Sequence, residues 1–475
     1  MQLNWQAENV LRAVRGQSLH VQDWQAHGLS IDSRSVQKGD LFIAIKGPSL
    51  DGHDYVHHAF ENGAVAAIVS QQPSQVPPDV PLIHVDDTLT ALQDLGRVNR
   101  ARTGAKIIAV TGSVGKTSCK EQLRLMLGAI NDTYANEGSL NNHWGVPLSL
   151  ARMPADTKYG IFELGMNHKD ELAPLSRDVQ PAIALITNVE AVHLEFFNSV
   201  EEIADAKAEI FLGMNPDGIA VLNHDSPHYA RLIAAARTQG LKKTLSFGHS
   251  SKCDARIQAL EPDEAGTNVE AIILGQKVSY RVGAAGVHLA INALGTLLAC
   301  AALGVDLEIC SKALSSYRTP ERRGTRQTIT STDGGSLTLI DETFNASPIA
   351  NHAALNVLGQ ASVHAAGRRI AILGDMLELG EKSPEMHAGL AQTLEENKID
   401  VVHCCGEMMT HLYHALPPDM RGTLAPNSTE LAQKAAATLH AGDVVMVKGS
   451  KGSHMEIIVE EIKKLGTSAR HKAAS

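Results

Sequence analysis

Residues 110–118, with the sequence VTGSVGKTS, have the composition of a phosphate-binding loop. The common loop pattern is G-x-x-x-x-G-K-[ST], and this chain has valine where the first glycine of that pattern would fall. The rest of the pattern is intact. Gly112 and Gly115 would let the backbone approach a phosphate, and Lys116 would contact the β and γ oxygens of a nucleotide. The hydroxyl of Thr117 would bind Mg²⁺, so these residues predict a site for ATP and Mg²⁺.

The segments on either side of this loop favour the same interpretation. KIIAV reads as a buried strand and SCKEQLRLMLGAI as a helix, with the glycines between them. A helix N-terminus offers unpaired N–H groups and the positive end of a dipole, which bind phosphate. A glycine-rich turn without a ligand is the alternative that these residues leave open. The predicted nucleotide-binding residues of the loop are Gly112, Ser113, Val114, Gly115, Lys116, Thr117 and Ser118.

Two further residues stand at or just after the ends of predicted strands, where they could supply ligands for a cation. Glu163 ends the strand YGIFEL, and a carboxylate there can face the phosphate loop and bind Mg²⁺ through oxygen. His193, in NVEAVHLEFF, follows another strand and could reach the same pocket. Taken alone, Glu163 also fits a solvated rim position, and His193 also fits an ordinary loop histidine.

Length and composition define the setting for this chemistry. A chain of 475 residues, 44% hydrophobic and 20% charged, is longer than one core usually supports, so several domains are expected. The net charge of -10, without a long basic block, gives no basis for binding nucleic acid or an anionic membrane. Six cysteines without C-x-x-C spacing fit a reducing compartment. The first residues lack a signal-peptide layout and no run could span a bilayer, so a cytoplasmic protein without membrane insertion is expected.

The order of predicted strands and helices divides the chain into three α/β domains and a tail. Residues 1–104 contain the strand-like pieces DLFIAI and AVAAIV and predict a small α/β domain. Residues 105–320 alternate apolar runs with helices, which predicts a parallel, doubly wound sheet buried on both faces. A charged segment broken by proline and glycine then precedes a second α/β alternation over 321–465. Residues 466–475 are small and polar and predict a disordered tail.

The loop variant T-G-S-x-G-K-T resembles the loop of the Mur ligase family, which builds the peptide of bacterial cell-wall precursors. Other segments similar to this family occur in order over nearly the whole chain: IDSRSVQKGDLFIAIKGPSLDGHDYV, GSLNNHWGVPLSL, FELGMNHKDEL, AKAEIF, DETFNASP and GDMLELGE. The resemblance implies a three-domain α/β architecture. Its parts would be a small N-terminal UDP-binding domain, a central P-loop-type ATPase domain with a parallel sheet, and a C-terminal Rossmann-like ligase domain.

The resemblance also implies a catalytic role for Lys116, Glu163, His193 and Lys207. In the family, the residue matching Glu163 binds Mg²⁺ and the residue matching His193 contacts a second Mg²⁺. Lys207, in ADAKAEIF, matches a lysine that the family carries as a carbamate, a CO₂ adduct that acts as an acid-like metal ligand. Two cations would neutralise the negative oxygens that ATP and an acidic acceptor bring together. By itself, Lys207 reads as an exposed helix lysine.

Three residues outside the loop are predicted to bind the nucleotide. Asn292 lies four positions after His288 on one face of the helix HLAINALG, a spacing that lets both side chains reach one ligand. A polar stripe on a half-buried helix is the alternative, and the resemblance favours Asn292 as an adenine contact. Arg323, beside the domain boundary, and Asp341, ending LTLID, match family positions that meet the nucleotide from the third domain. Arg323 would stabilise the transferring phosphate only after the domains close.

The predicted substrate-binding residues are also carried over from matching segments. Those of the first domain match the family's UDP-binding stretch and are Ser33, Arg34, Lys46, Gly47, Asp51 and His53. Asn141 and Asn142, in SLNNHWG, match residues near the muramoyl sugar and diphosphate. Asn345 and Ala346 in DETFNASP, with Asp375 in GDMLELGE, match positions that neighbour an incoming dipeptide. Without the resemblance, these segments also fit ordinary capped turns.

Two serines and one lysine depart from a simple match. Ser139 and Ser347 stand where the family has asparagine, and they keep a hydrogen-bonding side chain but shorten it. These replacements affect the fine substrate geometry more than the reaction class. Lys448, in VMVKGSKGS, is expected at the surface, with a contact to phosphate or carboxylate as the alternative.

DETFNASP and GDMLELGE are most similar to family members that add D-alanyl-D-alanine to UDP-N-acetylmuramoyl-tripeptide. This similarity implies that ATP converts the tripeptide carboxylate to an acyl phosphate, which the amine of D-alanyl-D-alanine attacks. A monomer acting in the cytoplasm is expected.

Three alternatives stay open at this stage. A Mur ligase of the MurE type or a folylpolyglutamate synthase shares the loop, although DETFNASP and GDMLELGE differ from the D-N-P-R acceptor motif of the former. A nucleotide-dependent switch without ligase activity is the second alternative. A cell-wall structural protein is the third, and the lack of an export signal disfavours it.

Overall fold

The computed structural model describes residues 4–18, 23–77, 79–331, 334–363 and 366–473. Their strands form a two-stranded ribbon and three larger sheets that follow one another along the chain. Each of the three sheets carries buried hydrophobic clusters, two per sheet. Several separate cores are what a chain of this length requires. The predicted boundaries at 104/105 and 320/321 fall between the sheets and stay predictions.

The first sheet has four parallel strands in the order β3-β4-β5-β6. The ribbon and sheet strands are β1 Trp5–Gln6, β2 Gln25–Ala26, β3 Gly28–Ser30, β4 Asp40–Ile43, β5 Ala66–Val69 and β6 Leu82–His84. The helices are α1 Ala7–Val14, α2 Val56–Glu61 and α3 Thr88–Arg102. Strands β4 and β5 confirm the strands predicted from DLFIAI and AVAAIV.

The second sheet has nine strands in the order β15-β14-β13-β12-β11-β10-β7-β9-β8. They are β7 Lys106–Thr111, β8 Thr133–Ala135, β9 Tyr159–Glu163, β10 Ile183–Ile186, β11 Ile219–Asn223, β12 Lys243–Gly248, β13 Ala255–Asp263, β14 Gly266–Ile273 and β15 Gln276–Val282. The helices are α4 Lys116–Gly128, α5 Gly145–Arg152, α6 Leu172–Val179, α7 Val200–Ala208, α8 Tyr229–Thr238, α9 Val287–Ala302 and α10 Leu307–Leu314.

The predicted parallel sheet is confirmed for β7 to β12. Strands β13, β14 and β15 were not predicted; β13 pairs parallel with β12, and β14 is antiparallel to both β13 and β15. In β14 most of the buried side chains alternate with exposed ones, which is typical of an antiparallel sheet with one covered face. The parallel strands, by contrast, are apolar on both faces. The tip of the β13–β14 hairpin reaches the candidate site described below.

The third sheet has six strands in the order β16-β17-β21-β18-β19-β20, and β16 is antiparallel to its neighbour. The strands are β16 Thr325–Thr330, β17 Ser336–Glu342, β18 Arg369–Gly374, β19 Val401–Cys405, β20 Arg421–Ala425 and β21 Val444–Lys448. The helices are α11 Pro348–Gly359, α12 Ser383–Ala388, α13 Leu390–Glu396, α14 Met409–Ala415, α15 Ser428–Ala436 and α16 Glu456–Ala473. The parallel order from β17 to β20 confirms the second α/β alternation.

The prediction of a disordered tail over 466–475 is wrong for residues 466–473, which continue α16. Extending an existing helix costs far less than nucleating one, so small and basic residues can follow the amphipathic part of the helix. Residues 474–475 lie outside the described part of the chain. Within that part, α16 included, we find no helix with the length and apolar character to cross a bilayer.

Register within the central sheet brings the predicted ligands together. Strand β7 lies between β9 and β10, and Val110 pairs with Glu163 on one side while Thr111 pairs with Ile186 on the other. Because these three strands are parallel, their carboxyl ends meet at one edge. The loops that follow them therefore lie side by side.

Candidate functional site

A cleft of ≈ 970 Å³ lies between the carboxyl edge of the central sheet and the third domain. This volume is in the range of small-molecule sites. Its walls include the glycine loop, the ends of β9 and β10, helix α9, the β13–β14 hairpin and the third-domain loops. The sequence-predicted residues that line it are Ser113, Val114, Gly115, Lys116, Thr117, Ser118, Asn141, Asn142, Glu163, His193, Asn292, Arg323, Asn345 and Ala346.

Two glycines give the loop its shape. Gly112 and Gly115 have φ values of 149° and 85°, which side-chain-bearing residues rarely adopt. A Cβ atom on Gly112 would lie 1.9 Å from Thr187 Oγ1, and one on Gly115 would lie 2.5 Å from Asn292 Nδ2. Helix α4 starts directly after Gly115 without a side-chain cap, so its first-turn N–H groups stay available to an anion.

Residues after β10 hold the loop, and the sequence analysis did not identify them. The side chain of Asn188 accepts a hydrogen bond from the Val114 N–H at 3.1 Å, and Thr187 Oγ1 donates to the Val114 carbonyl at 2.6 Å. Ser113 Oγ donates to the carbonyl of Glu190 at 3.1 Å. A polar run directly after an apolar strand, TNVE, was the available signal.

The side chain of Lys116 folds back over its own loop. Its Nζ donates to the carbonyls of Gly112 at 2.7 Å and Ser113 at 3.3 Å. Burial lowers the pKa of the Lys116 ammonium, and the Glu163 carboxylate opposes this shift. An ammonium that has lost water and is held by neutral carbonyls would gain from a phosphate anion.

The carboxylate of Glu163 is buried and held on both oxygens. Thr117 Oγ1 donates to Oε2 and Asn141 Nδ2 donates to Oε1, each at 2.8 Å. Asn136, which the sequence analysis missed, accepts from the Glu163 N–H at 2.8 Å and fixes the end of β9. A solvated rim position for Glu163 is therefore wrong, because only 2% of the residue is exposed.

The donors near Glu163 fit Mg²⁺ in one particular way. The described residues contain no cluster of three or more His, Cys, Asp or Glu side chains arranged as a metal site. Instead, the hydroxyl of Thr117 and one carboxylate oxygen of Glu163 lie side by side at the mouth of the loop. Mg²⁺ is usually held by one or two carboxylates together with water and substrate phosphates, and this donor pair matches that pattern.

Lys207, on α7, is buried, so the interpretation as an exposed helix lysine is wrong. None of the described residues accepts a hydrogen bond from its Nζ or forms an ion pair with it. Burial and then the nearby Lys116 ammonium lower the pKa of Lys207 well below its usual value. The side chain is therefore biased toward a neutral amine, which is the form that reacts with CO₂.

His193 joins the central domain to the third. Its backbone has a φ of 57°, and its Nδ1 hydrogen-bonds to the carboxylate of Glu378, in the loop after β18. Burial lowers the pKa of the His193 imidazole, and Glu378 opposes that shift. The charges of the nearby Lys116 and Lys207 side chains lower the pKa of the same imidazole further.

Arg323 enters the cleft from the third-domain side and stacks on an aromatic ring. Its guanidinium carbon lies 3.6 Å from the centre of the Phe344 ring. Burial lowers the pKa of Arg323, and Glu163 opposes that shift, so the guanidinium lies within electrostatic range of the glycine loop. Phe344 was quoted in DETFNASP but given no role.

Replacing Phe344 with leucine should reduce kcat by about tenfold and leave the fold intact. The Phe344 ring holds the Arg323 guanidinium through a cation–π contact, which is worth roughly 1–2 kcal/mol in a desolvated site. Leucine keeps most of the side-chain volume but removes this contact. Steady-state kinetics would measure the change, and Phe344→Tyr, which keeps the ring, should retain most of the activity. Equal losses in both variants would contradict a stacking role.

Asp341 does not line the cleft, so the predicted nucleotide contact is not supported by its position. Its carboxylate accepts hydrogen bonds from the Thr343 N–H at 3.1 Å and the Thr343 hydroxyl at 2.6 Å. Asp341 is buried and shapes the turn that presents Phe344. Its neighbour Glu342 is the acidic residue that does face the cleft.

Of the other residues predicted in the third domain, some line the cleft and others lie outside it. Asn345 and Ala346 line the cleft, whereas Asp375 lies outside it and accepts a hydrogen bond from the Met409 N–H at 2.9 Å. Lys448 is buried rather than exposed, and its Nζ donates to the Asn345 carbonyl at 3.0 Å. Ser347 is the N-cap of α11, which accounts for a serine there.

The six candidate UDP contacts of the first domain lie outside this cleft. His53 is buried; its Nδ1 hydrogen-bonds to Asp51 at 2.6 Å and its Nε2 accepts from the Ser70 N–H at 2.9 Å. Both ring nitrogens are used, so His53 positions Asp51 instead of offering a free donor to substrate. Arg34 pairs with Asp32, at 2.6 Å from Nη2 to Oδ2.

The rest of this group surrounds the same first-domain surface. Ser33 Oγ lies 3.1 Å from His58 Nδ1, and Lys46 Nζ lies 3.9 Å from Asp51 Oδ2. A Cβ atom on Gly47 would lie 3.6 Å from the ring of Trp144, which follows Asn142 in the central domain. The candidate UDP loop therefore lies next to the segment that holds Asn141 and Asn142.

Asn142 has a structural task in addition to its predicted one. Its side-chain oxygen accepts from the N–H groups of Trp144 at 3.2 Å and Gly145 at 2.9 Å, at the start of α5. Below this segment, the buried Lys120 donates to the carbonyls of Asn136 at 2.8 Å and Gly138 at 3.1 Å. The sequence analysis did not identify a role for Lys120, because nothing in the sequence of α4 distinguishes this buried lysine from an exposed one.

Three family models match the chain in consecutive segments. The Mur ligase family, catalytic domain model matches residues 25–100. The Mur ligase middle domain model matches 110–300, and the Mur ligase, glutamate ligase domain model matches 325–451. The glycine loop, Glu163, His193 and Lys207 all fall within the middle match.

Relatives match nearly the full length of the chain. The UDP-N-acetylmuramoyl-tripeptide--D-alanyl-D-alanine ligase of Rickettsia prowazekii is 35% identical over 432 residues, covering 91% of this chain and 94% of that protein. The enzyme of the same name from Bacillus subtilis is 32% identical and covers 96% of this chain and 97% of that protein.

Solved structures match over the same extent. MurF from Acinetobacter baumannii superimposes with a TM-score of 0.84 at 28% identity, covering 98% of this chain and 99% of that chain. A MurF ligase from Thermotoga maritima, solved in complex with ADP, gives a TM-score of 0.76 at 26% identity, covering 93% and 98%. The similarity therefore includes all three sheets and the cleft between the last two.

Proposed function

The chain belongs to the Mur ligase family of ATP-dependent ligases, and from this premise we propose that it joins D-alanyl-D-alanine to UDP-N-acetylmuramoyl-tripeptide. This reaction forms an amide bond in a peptidoglycan precursor. The proposal includes a cytoplasmic, monomeric enzyme. The names of the relatives support the choice of substrates, and the six free thiols fit a reducing compartment.

One arrangement in the structure carries the proposal. The uncapped start of α4, Lys116 and the Thr117–Glu163 oxygen pair form one side of a cleft, and third-domain residues form the other. A nucleoside triphosphate bound by the loop would extend its terminal phosphate toward the third domain. Acceptors held there would meet that phosphate in the cleft, as phosphoryl transfer requires.

The chemistry has two steps. The carboxylate of the tripeptide attacks the γ-phosphorus of ATP, the bond to the β-γ bridging oxygen breaks, and ADP leaves with an acyl phosphate formed. The free amine of D-alanyl-D-alanine then attacks the acyl carbon, and the tetrahedral intermediate expels inorganic phosphate. Lys116 and Arg323 approach the phosphate-binding end of the cleft from opposite walls, and their charges would stabilise the transferring phosphoryl group.

We propose that Thr117 and Glu163 hold one Mg²⁺ together with the nucleotide phosphates, and that His193 and a carbamylated Lys207 hold a second. Bound Mg²⁺ would neutralise phosphate charge in this cleft. The buried amine of Lys207 beside Lys116 supports the carbamate, because the adduct replaces a costly second cation with an anion. Asn292, against Gly115, is proposed to contact adenine.

The UDP-tripeptide and the dipeptide are placed on surfaces that the nucleotide does not occupy. We propose that the UDP group binds at the first-domain loops with Ser33, Arg34, Lys46, Gly47 and Asp51, with His53 acting through Asp51. Asn141 and Asn142 lie between that surface and the cleft, where the muramoyl sugar and diphosphate would pass. Asn345 and Ala346 would then contact the incoming dipeptide, and Asp375 would act only by supporting their loop.

Phosphate release in the presence of ATP, UDP-N-acetylmuramoyl-tripeptide and D-alanyl-D-alanine tests the proposal. We expect release only when both acceptors are present, and transfer of ¹⁸O from a labelled tripeptide carboxylate to the released phosphate. Tripeptides ending in diaminopimelate or lysine would identify the third residue. Release with neither acceptor, or with folate and glutamate, would reject the proposed reaction.

A further inference from the structure

We propose that Glu378 of the third domain is a positioning residue for His193, so that cation binding at His193 is coupled to closure of the third domain on the central one. Glu378 lies in the loop after β18 and His193 in the loop after β10, on different sheets. The inference rests on the proposed function, in which His193 binds a cation. It adds a residue for which the sequence analysis gave no role.

The contact between the two loops is made by both side chain and backbone. The carboxylate of Glu378 hydrogen-bonds to His193 Nδ1, and the Glu378 carbonyl accepts from the Glu195 N–H at 3.3 Å. Gly380 also packs near the backbone of Glu195, with a Cβ atom on it predicted 3.6 Å from the Glu195 Cα. The loops are therefore in contact over several residues.

Both partners have left-handed backbones. Glu378 has a φ of 63° and His193 a φ of 57°, and neither residue is glycine. Such conformations cost of order 1 kcal/mol or more each and persist where surrounding contacts determine them. The two residues face each other at the cleft, and the hydrogen bonds that join their loops are contacts that can maintain both conformations.

The hydrogen bond leaves one nitrogen of His193 for a ligand. With Nδ1 bound to the carboxylate, the imidazole proton lies on Nδ1 and Nε2 carries a lone pair. Within the described part of the chain, no residue hydrogen-bonds to Nε2, and His193 lines the cleft. A histidine that binds a metal through one nitrogen usually donates its other N–H to a carboxylate, which fixes the tautomer and the ring orientation.

The Glu378 carboxylate can support His193 only while the third domain is in contact with the central domain. Glu378 belongs to the third domain and His193 to the central domain, so any separation of the two domains would remove the acceptor from Nδ1. A cation that binds more tightly to the supported histidine must, by linkage, favour the closed arrangement by the same factor. The second cation and the third-domain acceptors would then bind cooperatively.

Mn²⁺ binding to the full chain with a non-hydrolysable ATP analogue tests the inference. Electron paramagnetic resonance should detect two Mn²⁺ ions per wild-type chain. In Glu378→Ala, one ion should bind about 10- to 100-fold more weakly while the other is unchanged. Glu378→Gln, which keeps an acceptor oxygen, should lose less. Glu381→Gln changes an exposed carboxylate on the same loop and should match wild type.

The outcomes separate this inference from the proposed function. Unchanged affinity for both ions in Glu378→Ala, or equal weakening of both, would overturn the positioning role. A purely structural role for Glu378 predicts a lower Tm with normal Mn²⁺ affinity in the folded chain, and this result would also overturn it. If the wild-type chain binds no Mn²⁺ with the ATP analogue, the proposed function itself fails.

Discussion

Replacing Lys116 with methionine should lower kcat by about 10³-fold, the largest effect that we expect from a single substitution. Methionine keeps the length and apolar stem of lysine but removes the charge. Lys116 Nζ is held by the carbonyls of Gly112 and Ser113, so its position above the loop is set before any nucleotide binds. A preorganised charge stabilises the transferring phosphoryl group without the reorganisation that water would need.

Calorimetry and kinetics together check this prediction. Isothermal titration with Mg-ATP should give heat with the wild-type chain and little or none with Lys116→Met. Lys242→Met is the matched control, because Lys242 is exposed and pairs only with Asp217 at 2.8 Å. Unchanged turnover in Lys116→Met would show that the loop does not act on the triphosphate, and the proposed function would lose its main support.

The fold was largely predictable because buried parallel strands leave a strong signal. Short apolar runs such as KIIAV and GIAVLN are buried on both faces, and their alternation with helices allows few topologies. Strands β13, β14 and β15 were missed because they lack the long apolar runs of the buried parallel strands; their polar and apolar residues alternate, which is the weaker signal of a sheet covered on one face. The helical end of α16, residues 466–473, was missed because the prediction used composition alone, and composition does not show whether an existing helix continues into the next residues.

The local parts of the site were also predictable. The residues from Gly112 to Ser118 follow β7 and begin α4, Glu163 ends β9, and sequence order fixes which edge of the parallel sheet these segments share. Burial could not be predicted in the same way. Lys207 and Lys448 were both expected at the surface on their residue type alone, yet each is only 2% exposed.

Contacts between residues far apart in the sequence, both within the third domain and between domains, account for most of what the sequence could not reveal. Phe344 and Arg323 are 21 positions apart, and Glu378 and His193 are 185 apart, so no local pattern links either pair. The same limit applies to Asp341 and Asp375, whose ligand contacts stay predictions although neither residue lines the cleft. Asp341 lies within β17 and Asp375 directly after β18, and whether a carboxylate at the end of a strand turns into the cleft depends on the turn that follows.

Three basic side chains lie in or beside the cleft. Burial lowers the pKa values of Lys116, Lys207 and Arg323, and the charge of Arg323 lowers the pKa of Lys116 further. The Glu163 carboxylate opposes the pKa shifts of Lys116 and Arg323, whereas none of the described carboxylates opposes the shift of Lys207. Lys207 is thus the group with the least electrostatic compensation, and conversion of its buried amine to an anion would relieve the site most.

Replacing Lys207 with methionine should lower kcat by at least about 10²-fold, because the oxygens of the proposed carbamate would be lost from a cation site. In CO₂-free buffer at neutral pH, the same variant should be more stable than wild type. The pKa of Lys207 is lowered in the folded chain, so the unfolded chain binds more protons between that lowered value and about 10.4. Wild-type stability therefore rises with pH in this window, by at most roughly 1.4 kcal/mol per pH unit, and the advantage of methionine disappears near pH 10.

Carbon-13 NMR in labelled bicarbonate gives the direct measurement. A carbamate resonance should appear in the wild-type chain and in Lys242→Met, and should be missing in Lys207→Met. Added bicarbonate should also raise the Tm of wild type at neutral pH and leave that of Lys207→Met unchanged, because only the wild type removes a buried amine. A wild-type chain that shows no resonance and keeps its full kcat after CO₂ is removed would contradict the carbamate. The buried amine would then need another partner, since an uncompensated ammonium in this position costs several kcal/mol.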